Sequence, residues 1–305
     1  MTLFSRLLAW YRRNGRDLPW RKRRNAYRIF ISELMLQQTR VDRVIPKYRA
    51  WLRRFPSWKK LAGARTRALV ISWAGLGYNR RVIAARDAAR QVMRDGIPTT
   101  AHDWRRLKGV GPYMAAALAE FVNHERAIVI DTNVRRVAGR VLLGVPYPHL
   151  SDDARIRRAL NRILPIHGAH WEIPHAMMDL GAMVCLSRIP RCEACPLVRV
   201  CMARKFFLPD RLAATLRRRA KQQQQTRIVE SRHAEKKYPD RIYRGRILTW
   251  IRVHGKTRLS TIGYRVDDTY DPVADLDWIR NMVKRLEKDG LLLFHSGDTI
   301  SLPRC

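Results

Sequence analysis

Leu107-Lys108-Gly109-Val110-Gly111-Pro112-Tyr113 is the stretch on which the reading of this chain turns. Two glycines one residue apart permit a tight turn with exposed backbone N–H groups. A proline follows, where a helix can begin without losing a needed donor. The next residues, Met114 to Phe121, are rich in alanine and read as a helix. A turn that aims amide groups from a helix start is suited to a phosphate. The same residues would also serve as an ordinary interhelical turn. The apolar frame favours the phosphate-binding reading, because Leu107 and Val110 stand ahead of Ala115-Ala116-Ala117-Leu118.

Outward from this hairpin the chain keeps a helical period. Trp51 to Phe55, Leu69 to Trp73, and Val82 to Val92 carry apolar residues at i, i+3 and i+4 spacing. Breaks fall at Phe55-Pro56, Gly75-Leu76-Gly77 and Gly96-Ile97-Pro98. Residues 1–203 are therefore predicted as one mainly α domain. Residues 204–240 change character, with Arg217-Arg218-Arg219, Lys221 and Gln222 to Gln225, and read as a basic linker or exposed helix. Residues 241–305 predict a small α+β domain. Ile242, Ile247, Leu248 and Ile251 make one helical stripe, and Leu276, Ile279, Met282, Val283 and Leu286 make a second. Leu291 to Phe294, a turn at Ser296-Gly297-Asp298, and Thr299 to Leu302 then form a hairpin. Two helices closed by a β-hairpin resemble a winged helix.

The charge is extreme. The 305 residues hold 61 Lys and Arg against 26 Asp and Glu, a net +35. Such a field gathers polyanions, and nucleic acid is the commonest. The part from 241 onward holds 12 basic and 8 acidic residues, so most of the excess lies before it. No apolar run is long enough for a transmembrane helix. The start lacks the apolar core and cleavage site of a secretory signal; Leu3, Leu7, Leu8 and Trp10 suit a docking helix instead.

Four of the five cysteines cluster as Cys185-x6-Cys192-x2-Cys195-x5-Cys201. A secreted disulfide framework would be spread along the chain, so this reads as a reduced, intracellular metal site. Zinc and a cubane iron–sulfur cluster both accept four thiolates. Zinc sites come more often as two CxxC pairs, and the asymmetric gaps here favour iron–sulfur. Cys305 lies outside the loop and is expected to be dispensable.

Two carboxylates stand out. Asp131 follows the apolar run Ala127-Ile128-Val129-Ile130, where the simplest role is an N-cap. Glu33 lies within Ile29-Phe30-Ile31-Ser32-Glu33-Leu34-Met35-Leu36, so it occupies either a wet helix face or an apolar setting that raises its pKa, as a general acid needs.

The hairpin with an Asp about twenty residues on resembles the HhH-GPD signature of DNA glycosylases. The four-cysteine loop is similar to that of the endonuclease III/MutY superfamily. Leu18-Pro19-Trp20-Arg21, Ser32 to Thr39, Gly75 to Tyr78, Asp131 to Val137 and Met178 to Ala182 occur in that family's order. Over about residues 5–203 the match is nearest to MutY-type adenine DNA glycosylases.

The resemblance implies a two-lobed helical core with a 4Fe-4S cluster on Cys185, Cys192, Cys195 and Cys201. It implies a monomeric, intracellular enzyme of base excision repair, acting on double-stranded DNA with no membrane partner. Glu33, Asp131 and Tyr113 would be catalytic. Trp20, Arg21, Gln37, Gln38, Tyr78, Asn133 and His175 would line the base pocket or wedge into the base stack. Lys108, Gly109, Val110 and Gly111 would hold the DNA backbone. Tyr113 stands where bifunctional relatives carry a lysine nucleophile, which implies a glycosylase without strong lyase activity. The expected substrate is adenine opposite guanine or oxidised guanine. Thymine or uracil mismatches are the alternative, since the 241–305 domain does not resemble the family's Nudix-like domain, Asn79 replaces a usual aromatic, and Pro174-His175 replace an Asn followed by Gln or Glu. A non-catalytic DNA-binding protein is a more remote alternative.

Overall fold

A computed structural model describes residues 2–166, 168, 170–225, 233 and 236–303. Cys305 lies outside the described residues. The described chain forms 15 α-helices and a single three-stranded sheet, all of it near the C-terminus. Some of the helices begin where the sequence supplies a start signal: Ser57 accepts from the Lys60 amide, and Pro112 occupies the first turn after Gly111. No described helix is long and apolar enough to cross a membrane.

The residues cluster into two compact units that are discontinuous in sequence. The first comprises Met1–Ile29, Pro98–Arg106 and Val110–Arg227. At its centre the Thr132–Leu143 helix packs against the Glu172–Met183 and Asp153–Ile163 helices. Val134, Val137, Ala138, Ile156, Leu160 and Leu180 form its apolar core. The N-terminal Leu3–Asn14 helix adds Leu7 to this core. The chain that follows this helix is fixed by Asp179, which is completely buried. Its carboxylate accepts the Arg16 amide at 2.8 Å, Arg16 Nε at 2.8 Å, and Arg21 Nη1 and Nη2 at 2.8 and 3.0 Å. The stretch read as a basic linker holds the Pro209–Gln225 helix, whose Arg219 lies 5.2 Å from the Tyr147 ring centroid.

The second unit comprises Phe30–Ile97, Leu107–Gly109 and Ile228–Cys305. Its helical part is built on aromatics: Trp51 meets Phe55 and Trp73, and Phe30 meets Trp58. Its C-terminal part has three helices, Asp240–His254, Leu259–Val266 and Leu276–Lys288. Strands β1 (Thr257–Arg258), β2 (Leu293–His295) and β3 (Thr299–Ser301) pair antiparallel in the order β1-β3-β2, with Thr257 opposite Ile300 and Leu293 opposite Ser301.

The hairpin and two of these helices match the sequence reading. The middle helix and β1 are additions, and both are too short to show a clear period. Lys236 is buried between Asp267 (2.8 Å) and Asp275 (2.5 Å) and closes this small domain. Val70 and Ile83 pack with its apolar core, so the C-terminal part shares a core with residues of the helical part.

Burial alone would raise the Asp179 carboxyl, but the bonds and charges of Arg21 and Arg16 outweigh it and hold the group below its ordinary value. A carboxylate depressed in this way adds stability above the unfolded value of about 3.9, and that stability is lost as pH falls through the folded value. Asp179→Asn is expected to cost about 3–5 kcal/mol at neutral pH, because two half-buried guanidinium groups lose their partner. Urea unfolding from pH 7 to pH 3 should show a smaller acid-side loss in the variant than in the parent.

Candidate active site and four-cysteine loop

The hairpin joins the Ala101–Arg106 helix to the Pro112–Leu118 helix. Val110 is buried and anchors it, while Lys108, Gly109 and Gly111 are exposed. Gly109 has a φ of +82°, and a Cβ there would stand 2.9 Å from the Ala84 Cβ, so both conformation and close approach require glycine. Lys108 Nζ pairs with Asp87 Oδ2 at 2.8 Å on the surface.

Asp131 caps the Thr132–Leu143 helix. Its Oδ1 accepts the amides of Asn133 (2.9 Å) and Val134 (2.6 Å), and its Oδ2 accepts Asn133 Nδ2 (2.8 Å). Asn133 Oδ1 in turn accepts Arg136 Nη2 at 2.8 Å. The same guanidinium donates to Gly181 O at 2.6 Å and to Cys185 O at 2.7 Å. A continuous hydrogen-bonded path thus runs from the first cysteine of the loop to Asp131.

Cys185, Cys192, Cys195 and Cys201 are free thiols that line one cavity together with Leu180, Val184 and Arg140. Arg140 is almost wholly buried. It donates to Cys185 Sγ at 3.3 Å, to Leu186 O at 2.7 Å, to Ser187 O at 3.1 Å and to Pro146 O at 2.7 Å. Burial pushes the thiols of Cys192 and Cys201 up, and that of Cys195 up to about 12. Deprotonating such a set calls for a positive centre among the sulfurs. Among the described residues, no group of three or more His, Cys, Asp or Glu is arranged to hold a metal ion.

In the second unit, Glu33 lies on the Ala26–Leu36 helix and is only 7% exposed, between buried Ser32 and Leu34. The chain then leaves the helix through Gln37 and Gln38, the latter at φ +59°. Tyr78 sits at φ +45° and is 52% exposed. Left-handed backbone at two bulky non-glycine residues is strained and persists only where neighbours enforce it. The enforcing group is Arg81. It donates to Leu34 O (2.7 Å), Gln37 O (2.8 Å), Leu76 O (3.1 Å) and Gly77 O (3.3 Å), tying both loops to one guanidinium. Sequence reading gave no sign of this role, because Arg81 is one of many arginines.

The remaining expected site residues belong to the first unit. Trp20 is buried, and Arg21 is committed to Asp179. Tyr113 stands in the first turn after the hairpin and is half-buried. The His175 ring stacks on Phe121 with centroids 4.0 Å apart, and desolvation pushes its pKa well below the ordinary imidazole value, so it is neutral at pH 7.

The cap and the charge of Asp131 can be separated. Asp131→Ala removes the acceptor for two helix amides and is expected to cost about 1 kcal/mol. Asp131→Asn keeps an acceptor oxygen and is expected to retain most of that stability. Thermal unfolding of the two variants checks this order.

Comparisons with known proteins bear on this arrangement. A family described as HhH-GPD superfamily base excision DNA repair protein matches residues 31–166. An adenine DNA glycosylase of Mycobacterium tuberculosis is 39% identical over 197 residues, covering 63% of this chain and 65% of the relative. The Homo sapiens adenine DNA glycosylase is 35% identical over 221 residues, covering 68% of this chain and 40% of the relative. The chain thus spans just under two thirds of the mycobacterial relative and less of the human one. Among solved structures, a thermostable thymine-DNA glycosylase aligns with a TM-score of 0.60 and 26% identity, covering 66% of this chain and 94% of that one. A trapped endonuclease III–DNA covalent intermediate aligns with a TM-score of 0.56 at 19% identity, covering 66% and 92%, a likeness of fold.

Proposed function

We propose that this chain, which matches the HhH-GPD superfamily of base-excision DNA repair proteins over residues 31–166, is a monofunctional DNA glycosylase. In this reading it removes adenine mispaired with guanine or oxidised guanine from double-stranded DNA and leaves an abasic site. The observation that carries the reading is the pair of acids. Glu33 is buried at the end of a helix that leads into strained loops, and Asp131 is held by three donors, in a chain similar to adenine glycosylases.

The glycosidic bond is inaccessible inside the stack, so the nucleotide must first be extruded. Gln38, with Gln37 beside it, and Tyr78 would wedge into the gap, their backbone poses held by Arg81. Lys108, Gly109, Val110 and Gly111 would hold a phosphate without reading sequence. Trp20, Arg21, Asn133 and His175 would line the base pocket, where the neutral His175 ring offers hydrogen bonds without charge. Glu33 would protonate a purine ring nitrogen as the bond breaks, or position water. Asp131 would stabilise the positive charge developing on the sugar. Tyr113, which carries no amine for a Schiff base, would orient Glu33 or water, so strand cleavage is weak.

The four cysteines would hold a 4Fe-4S cluster. Their shared cavity and the buried Arg140 beside Cys185 Sγ fit a group bearing negative thiolates. When bound, the cluster supplies a structural crosslink and takes no part in proton transfer. The protein would act as a monomer within the cell, where the net charge of +35 draws it to DNA.

Purified protein should be brown and contain about four irons per chain. Stoichiometric zinc without iron would sink the cluster assignment.

Glu33→Gln and Asp131→Asn should each reduce single-turnover excision by about 10² or more, while DNA binding survives. A panel of mismatched duplexes supplies the substrate test. With adenine, Glu33 should matter more, since a purine leaves after ring protonation; excision confined to thymine or uracil mispairs would overturn the adenine assignment. Full activity in both variants would refute the site.

A further inference from the structure

A cavity of about 280 Å³ lies in the first unit, beside the one that the cysteines line. Arg136 and Arg140, one turn apart on the Thr132–Leu143 helix, contribute to its lining. Ser187 of the cysteine loop adds a hydroxyl. Arg219 and Gln222, three residues apart on the Pro209–Gln225 helix, face it from the stretch read as a linker. Tyr147 joins these parts. The guanidinium carbons of Arg140 and Arg219 lie 5.5 and 5.2 Å from its ring centroid, and Gln222 Nε2 donates to its carbonyl at 3.5 Å.

The charge balance of this cavity points to an anion. Its lining holds three arginines and no carboxylate. Arg136 and Arg140 donate to the carbonyls of Gly181, Cys185, Leu186 and Ser187, which satisfy their hydrogens but cancel none of their charge. Arg219 forms no ion pair with any described residue, and it lines this cavity but not the cysteine one. Negative charge held by the cysteines therefore meets Arg140, through Cys185 Sγ, and leaves Arg219 unmatched. Three like charges around one space repel each other, and a multivalent anion between them turns that repulsion into attraction.

The depth of the site decides which anion. Phosphates of a duplex backbone meet cations on an open surface, as the exposed Arg217 and Arg218 are. Here Arg140 is only 1% exposed and the Pro209–Gln225 helix supplies one wall, so a compact free ion enters where a strand does not. We propose that this cavity binds a small free phosphate-bearing anion of the size of pyrophosphate. Arg219 would hold one phosphoryl group through its planar fork, with the Gln222 amide and the Ser187 hydroxyl as neutral donors. The bound anion would tie the Pro209–Gln225 helix to the cysteine loop.

The test is a calorimetric titration of the full chain with sodium pyrophosphate, at an ionic strength held constant with chloride. Saturable one-to-one binding is expected in the parent, together with a raised melting temperature. Arg219→Ala should weaken that affinity by about tenfold or more. Arg218→Ala removes the same charge from an exposed neighbour and should leave the affinity within about twofold. No saturable binding to the parent, or an equal loss in the two variants, overturns the proposal. So does a DNA duplex whose own affinity falls in Arg219→Ala but not in Arg218→Ala, since a strand phosphate would then be the occupant. If Arg219→Ala unfolds, Arg219→Gln keeps the length of the side chain without its charge, and undiminished pyrophosphate binding there counts equally against the site.

Discussion

The guanidinium of Arg136 is the joint on which the first unit depends. Its donors reach the carbonyls of Gly181 and Cys185 and the side chain of Asn133, and through Asn133 the carboxylate of Asp131. A helix end, the start of the cysteine loop and a helix cap are thereby fixed by one planar cation. A lysine could not make this set of bonds, because its donors do not form a rigid fork. Loss of order in the cysteine loop would therefore reach Asp131 without any direct contact between them. The second unit uses the same device, with Arg81 joining the loops after Leu36 and around Gly77.

These joints were illegible in the sequence, and the reason is physical. The chain has 61 Lys and Arg, and nothing local distinguishes the few that turn inward onto carbonyls from those that face solvent. What could be read was local. The hairpin at Gly109 and Gly111, the cap at Asp131, the cysteine spacing and the apolar stripes of 241–305 all follow from residues close in sequence. The Leu259–Val266 helix escaped because eight residues with a central glycine carry little periodicity. The partition into two discontinuous units escaped because it depends on contacts between distant segments. The tie from Arg21 to Asp179 spans 158 positions, so no local pattern reveals it.

Two kinds of basic residue therefore coexist. Arg81, Arg136 and Arg140 are structural cations held by carbonyl dipoles, and among the described residues no carboxylate pairs with them. That leaves the acids to short surface pairs and a few buried anchors such as Asp179, and leaves the outward field strongly positive. Stability and attraction to a polyanion then draw on different arginines, so surface charge can vary without loosening the core.

The bond between Arg16 and Asp179 also sets an order of events during synthesis, since its partners lie 163 positions apart. A ribosome adding about 5–20 residues per second delivers Asp179 roughly 10–30 s after Arg16. Through that interval the 12-residue Leu3–Asn14 helix is too short to be stable alone, and Leu7, which ends completely buried, has no finished core to enter. The Leu3–Asn14 helix is thus made well before it can be placed, and the nascent chain carries an exposed apolar stripe that a chaperone can hold until the Glu172–Met183 helix has emerged.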